Sequence, residues 1–220
     1  MLYKDGLVMY DRQTDTLWTQ VDGRAVRGKL TGQQLQIVPA IHATWKEWRT
    51  LYPMSRVLKK RGESRSAYDD YNRSASRLGI MGRRNTDNRL PGKERILGVR
   101  VGNAAMAFPL SAVRDVRLAQ AEVGGLPVLL VAPAADQPVL AYERRVRSRD
   151  LTFRLETTGN RVVLRDAETN STWDVATGKA TAGSLAGAQL NRATAYPAFW
   201  FGWRGYFPST GVWERPKPVR

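Results

Sequence analysis

The feature that most constrains this chain is a segment that occurs twice, at residues 6–58 and again at residues 161–213. A shift of 155 positions, the separation of Asp11 and Asp166, aligns the two copies without a gap. A register held over a whole segment predicts one structural unit used twice. The matched positions with a predicted structural role are Asp11, Thr14, Trp18, Trp45 and Trp48, and Asp166, Thr169, Trp173, Trp200 and Trp203.

Each copy begins with a pattern typical of a β-hairpin. An apolar, β-branched run precedes a polar Asp/Thr stretch, and a strand that carries the matched Trp follows. The shared Asp is predicted to accept backbone hydrogens in the turn, because short oxygen-bearing side chains stabilise turns. The Gly-x-Leu-x-Gly spacing at residues 28–32 and 183–187 predicts another turn, since Gly accepts positive φ. A phosphate loop is disfavoured because no Lys-Ser/Thr pair follows.

The end of each copy is predicted to be a short aromatic helix. After a predicted strand near residues 35–38, Thr44 can cap a helix in which Trp45 and Trp48 lie on one face, and Pro53 ends it. We interpret this face as core, with stacking on sugars or bases as the alternative. The second copy repeats the spacing with Trp200, Trp203, Phe207 and Pro208.

Residues upstream of the second copy have no counterpart before the first. Further strands are predicted there at residues 96–101, 104–108, 126–132, 140–142 and 151–155, and the first two are predicted to form a hairpin that turns at Gly102 and Asn103. The fold class is therefore mainly β (α+β), with an internally duplicated β-rich unit. The predicted division is the latter half of a first unit at 1–58, a basic connecting strap at 59–94, a complete second unit at 95–214, and a tail at 215–220.

Composition excludes several classes of site. The chain has no Cys and a single His, His42, which leaves little material for thiolate or His-based metal centres, and neither a metal nor a cofactor is predicted. The sequence has no run of about 20 apolar residues, so no membrane span is predicted. The first residues do not show the pattern of a signal peptide. The net charge of +15 favours anionic partners such as nucleic acid, acidic polysaccharide or anionic lipid.

The strap is where we predict a ligand, because long irregular segments in compact domains are often functional; a solvated linker is the alternative. It is rich in Arg and contains a Tyr-Asp-Asp-Tyr run at residues 68–71. Arg side chains bind anions through charge-assisted hydrogen bonds. The candidate anion-binding residues are Arg61, Arg65, Tyr68, Tyr71, Arg83, Arg84 and Arg89.

Several strings in the same order resemble one known family. They are residues 85–99, residues 7–14 with Leu17 and Trp18, the glycine turn at residues 28–32, and residues 107–110. Together they look like the bacterial and archaeal domain of unknown function 3179, which implies no activity. The family carries a Cys-Pro-Leu-Cys-Gly stretch that this chain lacks, and the resemblance implies an exported or lipid-anchored location.

Three functions remain open, and binding is favoured over catalysis. The first is a non-catalytic binding or scaffold domain with an anion site between the repeats, because pockets often form between domains. This prediction includes a partner chain, or self-association, that completes the first repeat. The second is polyanion or nucleic-acid binding through the strap and Arg144, Arg145, Arg147 and Arg149. The third is a carboxylate-dependent hydrolase, with candidate acids Asp11, Asp69, Asp70 and Asp166.

Overall fold

A computed structural model of the chain describes residues 2–4, 6–58, 68–79, 87–159 and 161–216. The regular structure in this part is mainly β, arranged in several small sheets with few and short helices. The prediction of a mainly β, α+β chain is therefore confirmed at this level.

The first sheet is antiparallel, with its strands in chain order. In β2 and β3, Met9 pairs with Trp18, and the register shifts between Leu17 and Trp18 where β4 joins. At Gly28, which has a φ of +106°, an added Cβ would lie 2.6 Å from the Cα of Thr16, so a side chain would be excluded there. The elements are β1 (Leu2–Tyr3), β2 (Gly6–Asp11), β3 (Thr16–Thr19), β4 (Ala25–Arg27) and α1 (Trp45–Leu51).

Residues 35–38 are not a strand, which corrects the prediction. Only Gln34 pairs, through an isolated bridge to Arg24, and the chain then runs without ladder partners to Thr44. An apolar run becomes a strand only where a neighbouring strand offers its backbone groups. Within the described ranges, no strand pairs with residues 35–38.

The connecting strap contains a short helix, α2 (Asp69–Arg73), where a loop was predicted. The predicted hairpin follows it as β5 (Arg95–Val101) and β6 (Ala104–Pro109), which turn at Gly102 and Asn103. A helix that the sequence did not predict comes next, α3 (Leu110–Val116). It ends at Arg117, whose φ of 64° is left-handed.

The next sheet is three-stranded, in the order β7-β8-β9, and β8 is its buried centre. The near-continuous apolar sequence of β8 fits a strand that is covered on both faces. A small hairpin follows this sheet, in which Val146 is buried and the other strand residues are exposed. The elements are β7 (Leu118–Val123), β8 (Leu126–Val131), β9 (Leu140–Glu143), β10 (Arg145–Val146) and β11 (Arg149–Asp150).

The last part of the chain forms a second four-stranded antiparallel sheet, β12-β13-β14-β15, and completes the sheet of β5 and β6 in the order β16-β5-β6-β17. The predicted strand at residues 151–155 begins at Phe153 and continues past Leu155. The elements are β12 (Phe153–Thr158), β13 (Arg161–Asp166), β14 (Thr172–Asp174), β15 (Ala180–Ala182), β16 (Ala195–Phe199), α4 (Trp200–Tyr206) and β17 (Gly211–Val212).

The two aromatic helices differ in burial. Trp200 and Trp203 of α4 are fully buried and form a cluster with Ile96 and Ala107 of the β5–β6 hairpin. Helix α1 has no buried residue, and Trp45 is 44% exposed. The core interpretation is therefore correct for α4 and wrong for Trp45, because among the described residues no hairpin like β5–β6 covers α1.

Candidate functional site

A cavity lies between the residues that lead into α1 and the sheet of β5 and β16. Its volume is about 830 Å³, within the range typical of small-molecule sites. Residues 42–44 and residues 197–199 both line it, and these two segments stand 155 positions apart. The remaining lining residues are Glu47, Lys93, Glu94, Arg95, Ile96, Leu97, Leu110, Ser111, Arg114 and Val139.

One wall is fixed by the start of α1. The Oγ1 of Thr44 accepts a hydrogen bond from the backbone N of Glu47 at 3.2 Å, and the Oε2 of Glu47 accepts one from the backbone N of Thr44 at 2.7 Å. This reciprocal pair is a capping box, which satisfies two otherwise unpaired donors of the helix. Thr44 therefore caps α1 as predicted, and the cap also orients the Glu47 carboxylate at the cavity.

Arg114 of α3 crosses to this carboxylate and joins the two walls. Its Nη2 lies 2.8 Å from the Oε1 of Glu47, and its Nη1 donates to the carbonyl oxygens of Ala135 and Gln137. Burial favours the neutral acid, but hydrogen bonds from Thr44 and Arg114 outweigh it and lower the pKa of Glu47. Arg114 and Glu47 thus neutralise each other.

The opposite rim carries cations without carboxylate partners among the described residues. Lys93 donates through its Nζ to the backbone oxygen of Tyr71 and lies 3.7 Å from the centroid of that ring. Burial and the nearby charge of Arg77 lower the pKa of Lys93. Arg95 is exposed and has no ion pair within the described ranges. Glu94, between these two cations, accepts a hydrogen bond from the Ser111 hydroxyl at 2.6 Å and keeps its negative charge, so this rim carries two positive charges and one negative charge.

The described members of the predicted strap set, Tyr68, Tyr71 and Arg89, are not gathered at one site. Tyr71 contacts the cavity rim through Lys93, and its hydroxyl accepts a hydrogen bond from the N of Gly79 at 3.0 Å. Tyr68 is 67% exposed. Four of the predicted anion-binding residues lie outside the described residues, namely Arg61, Arg65, Arg83 and Arg84.

Arg89, the remaining strap candidate, lies away from the cavity and contacts other protein groups. Its Nη2 lies 2.7 Å from the Oδ2 of Asp87, its Nη1 donates to the oxygen of Thr210 at 2.8 Å, and its guanidinium lies 5.0 Å from the ring of Trp200. Hydrogen bonds from Arg89 lower the pKa of Asp87 to about 2. Arg89 thus connects Asp87 to the backbone of Thr210 and the ring of Trp200.

The Asp166 carboxylate is fully buried within its own turn. It accepts hydrogen bonds from the N of Thr169 at 2.6 Å, from the N of Ser171 at 3.1 Å and from the Nε1 of Trp173 at 2.9 Å. Burial raises the pKa of Asp166, but the bonds from Trp173, Thr169 and Ser171 outweigh this effect and hold it below its usual value. Its oxygens are therefore fully used within the β13–β14 hairpin.

Asp11 has the same role at its own turn. It accepts hydrogen bonds from the N of Gln13 at 2.8 Å and from the Oγ1 of Thr14 at 2.5 Å. These bonds lower the pKa of Asp11, and the bond from the Thr14 side chain has the largest effect. Neither Asp11 nor Asp166 lines the described cavities. Asp11 and Asp166, the pair considered for a hydrolase, therefore share no described cavity. The other two candidate acids, Asp69 and Asp70, lie in α2.

The basic cluster before β12 is partly engaged by the protein itself. Arg145 pairs with Asp150 across the β10–β11 hairpin at 2.5 Å. Arg144 donates to the oxygen of Leu151 at 2.9 Å. Arg147 and Arg149 are exposed at the tip of this hairpin, where they remain candidates for polyanion contact.

Sequence reasoning did not identify the charged residues that line the cavity. These residues come from separate parts of the chain, and no linear spacing relates them. Glu47 lies in α1, Lys93 and Arg95 lie just before and at the start of β5, and Arg114 lies in α3. The one local signal was the Thr-x-x-Glu pattern of the capping box, which predicts a helix start rather than a site.

The described residues contain no helix with the length and hydropathy needed to cross a membrane. They also contain no group of three or more His, Cys, Asp or Glu side chains placed to hold a metal ion. In comparisons with known proteins, a family model described as "Protein of unknown function (DUF3179)" matches residues 1–210. No curated protein and no solved structure matches the chain.

Proposed function

The chain belongs to the DUF3179 family, whose description assigns no function, and we propose that it is a non-catalytic binding domain for a small amphipathic anion. The site is the cavity of about 830 Å³ between the two copies of the repeated segment. The observation that carries the proposal is that residues 42–44 and 197–199, equivalent in the repeat, both line this cavity.

The proposal includes the internal duplication itself. Its support is that β2, β4 and α1 begin and end 155 positions before β13, β15 and α4. The register shifts next to Trp18 and Trp173 are also equivalent. We therefore divide the chain into the latter half of a first unit at 1–58, a strap at 59–94, a complete second unit at 95–214 and a tail at 215–220.

The chemistry of the lining selects the ligand class. Aliphatic and aromatic groups such as Leu97 and Phe199 give the cavity an apolar body. Lys93 and Arg95 add two positive charges against the one negative charge of Glu94, while Glu47 is neutralised by Arg114, so the lining keeps a net positive charge. Ligand pockets commonly combine a mainly apolar lining with a few polar groups that set orientation. An anion with an apolar portion matches this combination, and the net charge of +15 adds long-range attraction.

The test uses the fluorescent probe 8-anilinonaphthalene-1-sulfonate, an amphipathic aromatic anion. Ser111 is exposed at the cavity, so Ser111→Trp fills part of the space without disturbing the buried core. Thr181→Trp is the matched control, because Thr181 is exposed on β15 outside the cavity and, like Ser111, gives up one side-chain hydrogen bond. We expect wild type and Thr181→Trp to bind the probe equally, and Ser111→Trp to bind it at least about tenfold more weakly.

Equal binding by all three proteins would overturn the proposed site. Tight binding of duplex DNA with steep salt dependence, unaffected by Ser111→Trp, would instead support the polyanion alternative, because each neutralised phosphate releases counterions.

A further inference from the structure

A smaller chamber adjoins the candidate site. Its volume is about 140 Å³, and it shares the lining residues His42, Leu97 and Val139 with the larger cavity. Arg192 and Tyr52 also line it. Because the two spaces share three side chains, we treat them as the inner and outer parts of one site.

Arg192 is the charged group of this inner chamber, and one face and one nitrogen of its guanidinium contact protein groups. Its guanidinium lies 4.3 Å from the centroid of the Tyr142 ring, and its Nη2 donates to the oxygen of Ala176 at 2.5 Å. Tyr142 is fully buried, and its hydroxyl donates to the oxygen of Val175 at 2.7 Å. Stacking on a buried, hydrogen-bonded ring holds the guanidinium plane in one orientation.

The other terminal nitrogen of Arg192 lacks a partner. Its Nη1 is buried and makes no hydrogen bond with any described residue. No described carboxylate pairs with Arg192; Asp174, the nearby acid that raises the pKa of Tyr142, accepts hydrogen bonds from Thr177 instead. A buried guanidinium donor without a partner is energetically costly, and a ligand oxygen would satisfy it.

The surroundings strengthen such an interaction. Apart from Arg192, His42 and Tyr52, the chamber is lined by apolar side chains, including Ile41, Leu97, Leu140 and Ala193. Charge pairs and charge-assisted hydrogen bonds are stronger in such a low-dielectric environment than in water. Since a water molecule takes about 30 Å³ in the liquid, a chamber of about 140 Å³ has room for a small polar group but not for a drug-sized ligand.

We propose that Arg192 binds the carboxylate head of an amphipathic ligand in the inner chamber, while the ligand's apolar chain lies in the outer cavity. This inference rests on the proposed function. A singly charged carboxylate matches the single positive charge and the one unpaired guanidinium donor of Arg192, whereas a phosphate dianion would leave a negative charge without a cation in the chamber. Arg192 therefore determines the specificity for the acid.

The experiment measures displacement of 8-anilinonaphthalene-1-sulfonate by two competitors of equal chain length, octanoate and 1-octanol. In the wild-type protein we expect octanoate to displace the probe on the order of tenfold more effectively than octanol, because a hydrogen bond to a charged group adds that much affinity. Arg192→Met keeps much of the aliphatic stem and removes the charge, so the preference is expected to disappear. Arg192→Lys keeps the charge without the planar fork and is expected to show an intermediate preference.

A second measurement does not depend on a folded variant. Octanoate labelled with ¹³C at the carboxyl group is titrated with pH in the presence of wild-type protein. An adjacent guanidinium lowers the pKa of the bound acid, so its carboxyl resonance is expected to titrate at lower pH than that of free octanoate. A purely structural Arg192 would leave this pKa unchanged or raised by burial.

The outcomes separate the two proposals. If the probe binds and Ser111→Trp weakens it, but octanoate and octanol compete equally, the inner-chamber proposal is wrong and the proposed function stands. A preference for octanoate that persists in Arg192→Met would place the head group elsewhere and also overturn the inference. If Ser111→Trp leaves probe binding unchanged, the proposed function itself fails.

Discussion

Replacing two tryptophans that stand 155 positions apart in the sequence should have very different consequences for stability. Trp45 and Trp200 occupy the first position of α1 and α4, respectively. Trp200 is fully buried, whereas Trp45 is 44% exposed. We expect Trp200→Ala to destabilise the protein strongly and Trp45→Ala to have a small effect.

The size of the difference follows from their environments. Truncating a buried Trp to Ala costs about 3–5 kcal/mol, because transfer free energy is lost and a cavity remains. The Nε1 of Trp200 has no partner among the described residues, so the substitution also removes a buried unpaired donor; this relieves about 1 kcal/mol, the lower end of the cost of such a group, because the contact with the Arg89 guanidinium is lost as well. The net loss for Trp200→Ala is therefore about 2–4 kcal/mol, against about 1 kcal/mol or less for Trp45→Ala.

The assay is urea unfolding followed by far-UV circular dichroism, since removing a Trp alters fluorescence directly. A loss of about 2–4 kcal/mol is a large share of the 5–15 kcal/mol typical of native proteins. Trp200→Phe serves as the milder variant, because it keeps the aromatic bulk and removes the unpaired N–H. Equal losses for Trp45→Ala and Trp200→Ala would refute the reasoning, because they would mean that Trp45 is covered in solution.

Two further predictions concern packing and pH. Gly98→Ala should destabilise the protein by about 1–3 kcal/mol in thermal or urea unfolding, because the added Cβ would overlap the indole of Trp203. The control Gly202→Ala, a helical position with open space around it, should stabilise by about 1 kcal/mol. Asp87 has a pKa lowered to about 2 by Arg89, so its contribution to stability is present above about pH 4 and lost as the pH falls through about 2. The free energy of unfolding of Asp87→Asn should therefore approach that of wild type between pH 4 and pH 2, and a constant difference would contradict this assignment.

The local elements were largely determined by the sequence itself. The Asp and Thr turn pattern, the Gly102-Asn103 turn and the Thr44 cap act over a few residues, and the corresponding hairpins and helix start are present. The carboxylate of Asp166 is bonded to its own turn because the groups that satisfy it lie within seven positions of it. Such short-range hydrogen bonds can be inferred from residue order alone.

Only the tertiary structure decided which of the residues matched at a shift of 155 positions are buried and where a cavity forms. Trp45 and Trp200 follow the same local pattern, but only Trp200 has a hairpin packed over it. The cavity gathers Glu47, Arg95 and Arg114 from separate elements, so no spacing in the sequence could relate them. Burial and convergence of charges depend on which distant segments meet, and that information is spread over the whole chain.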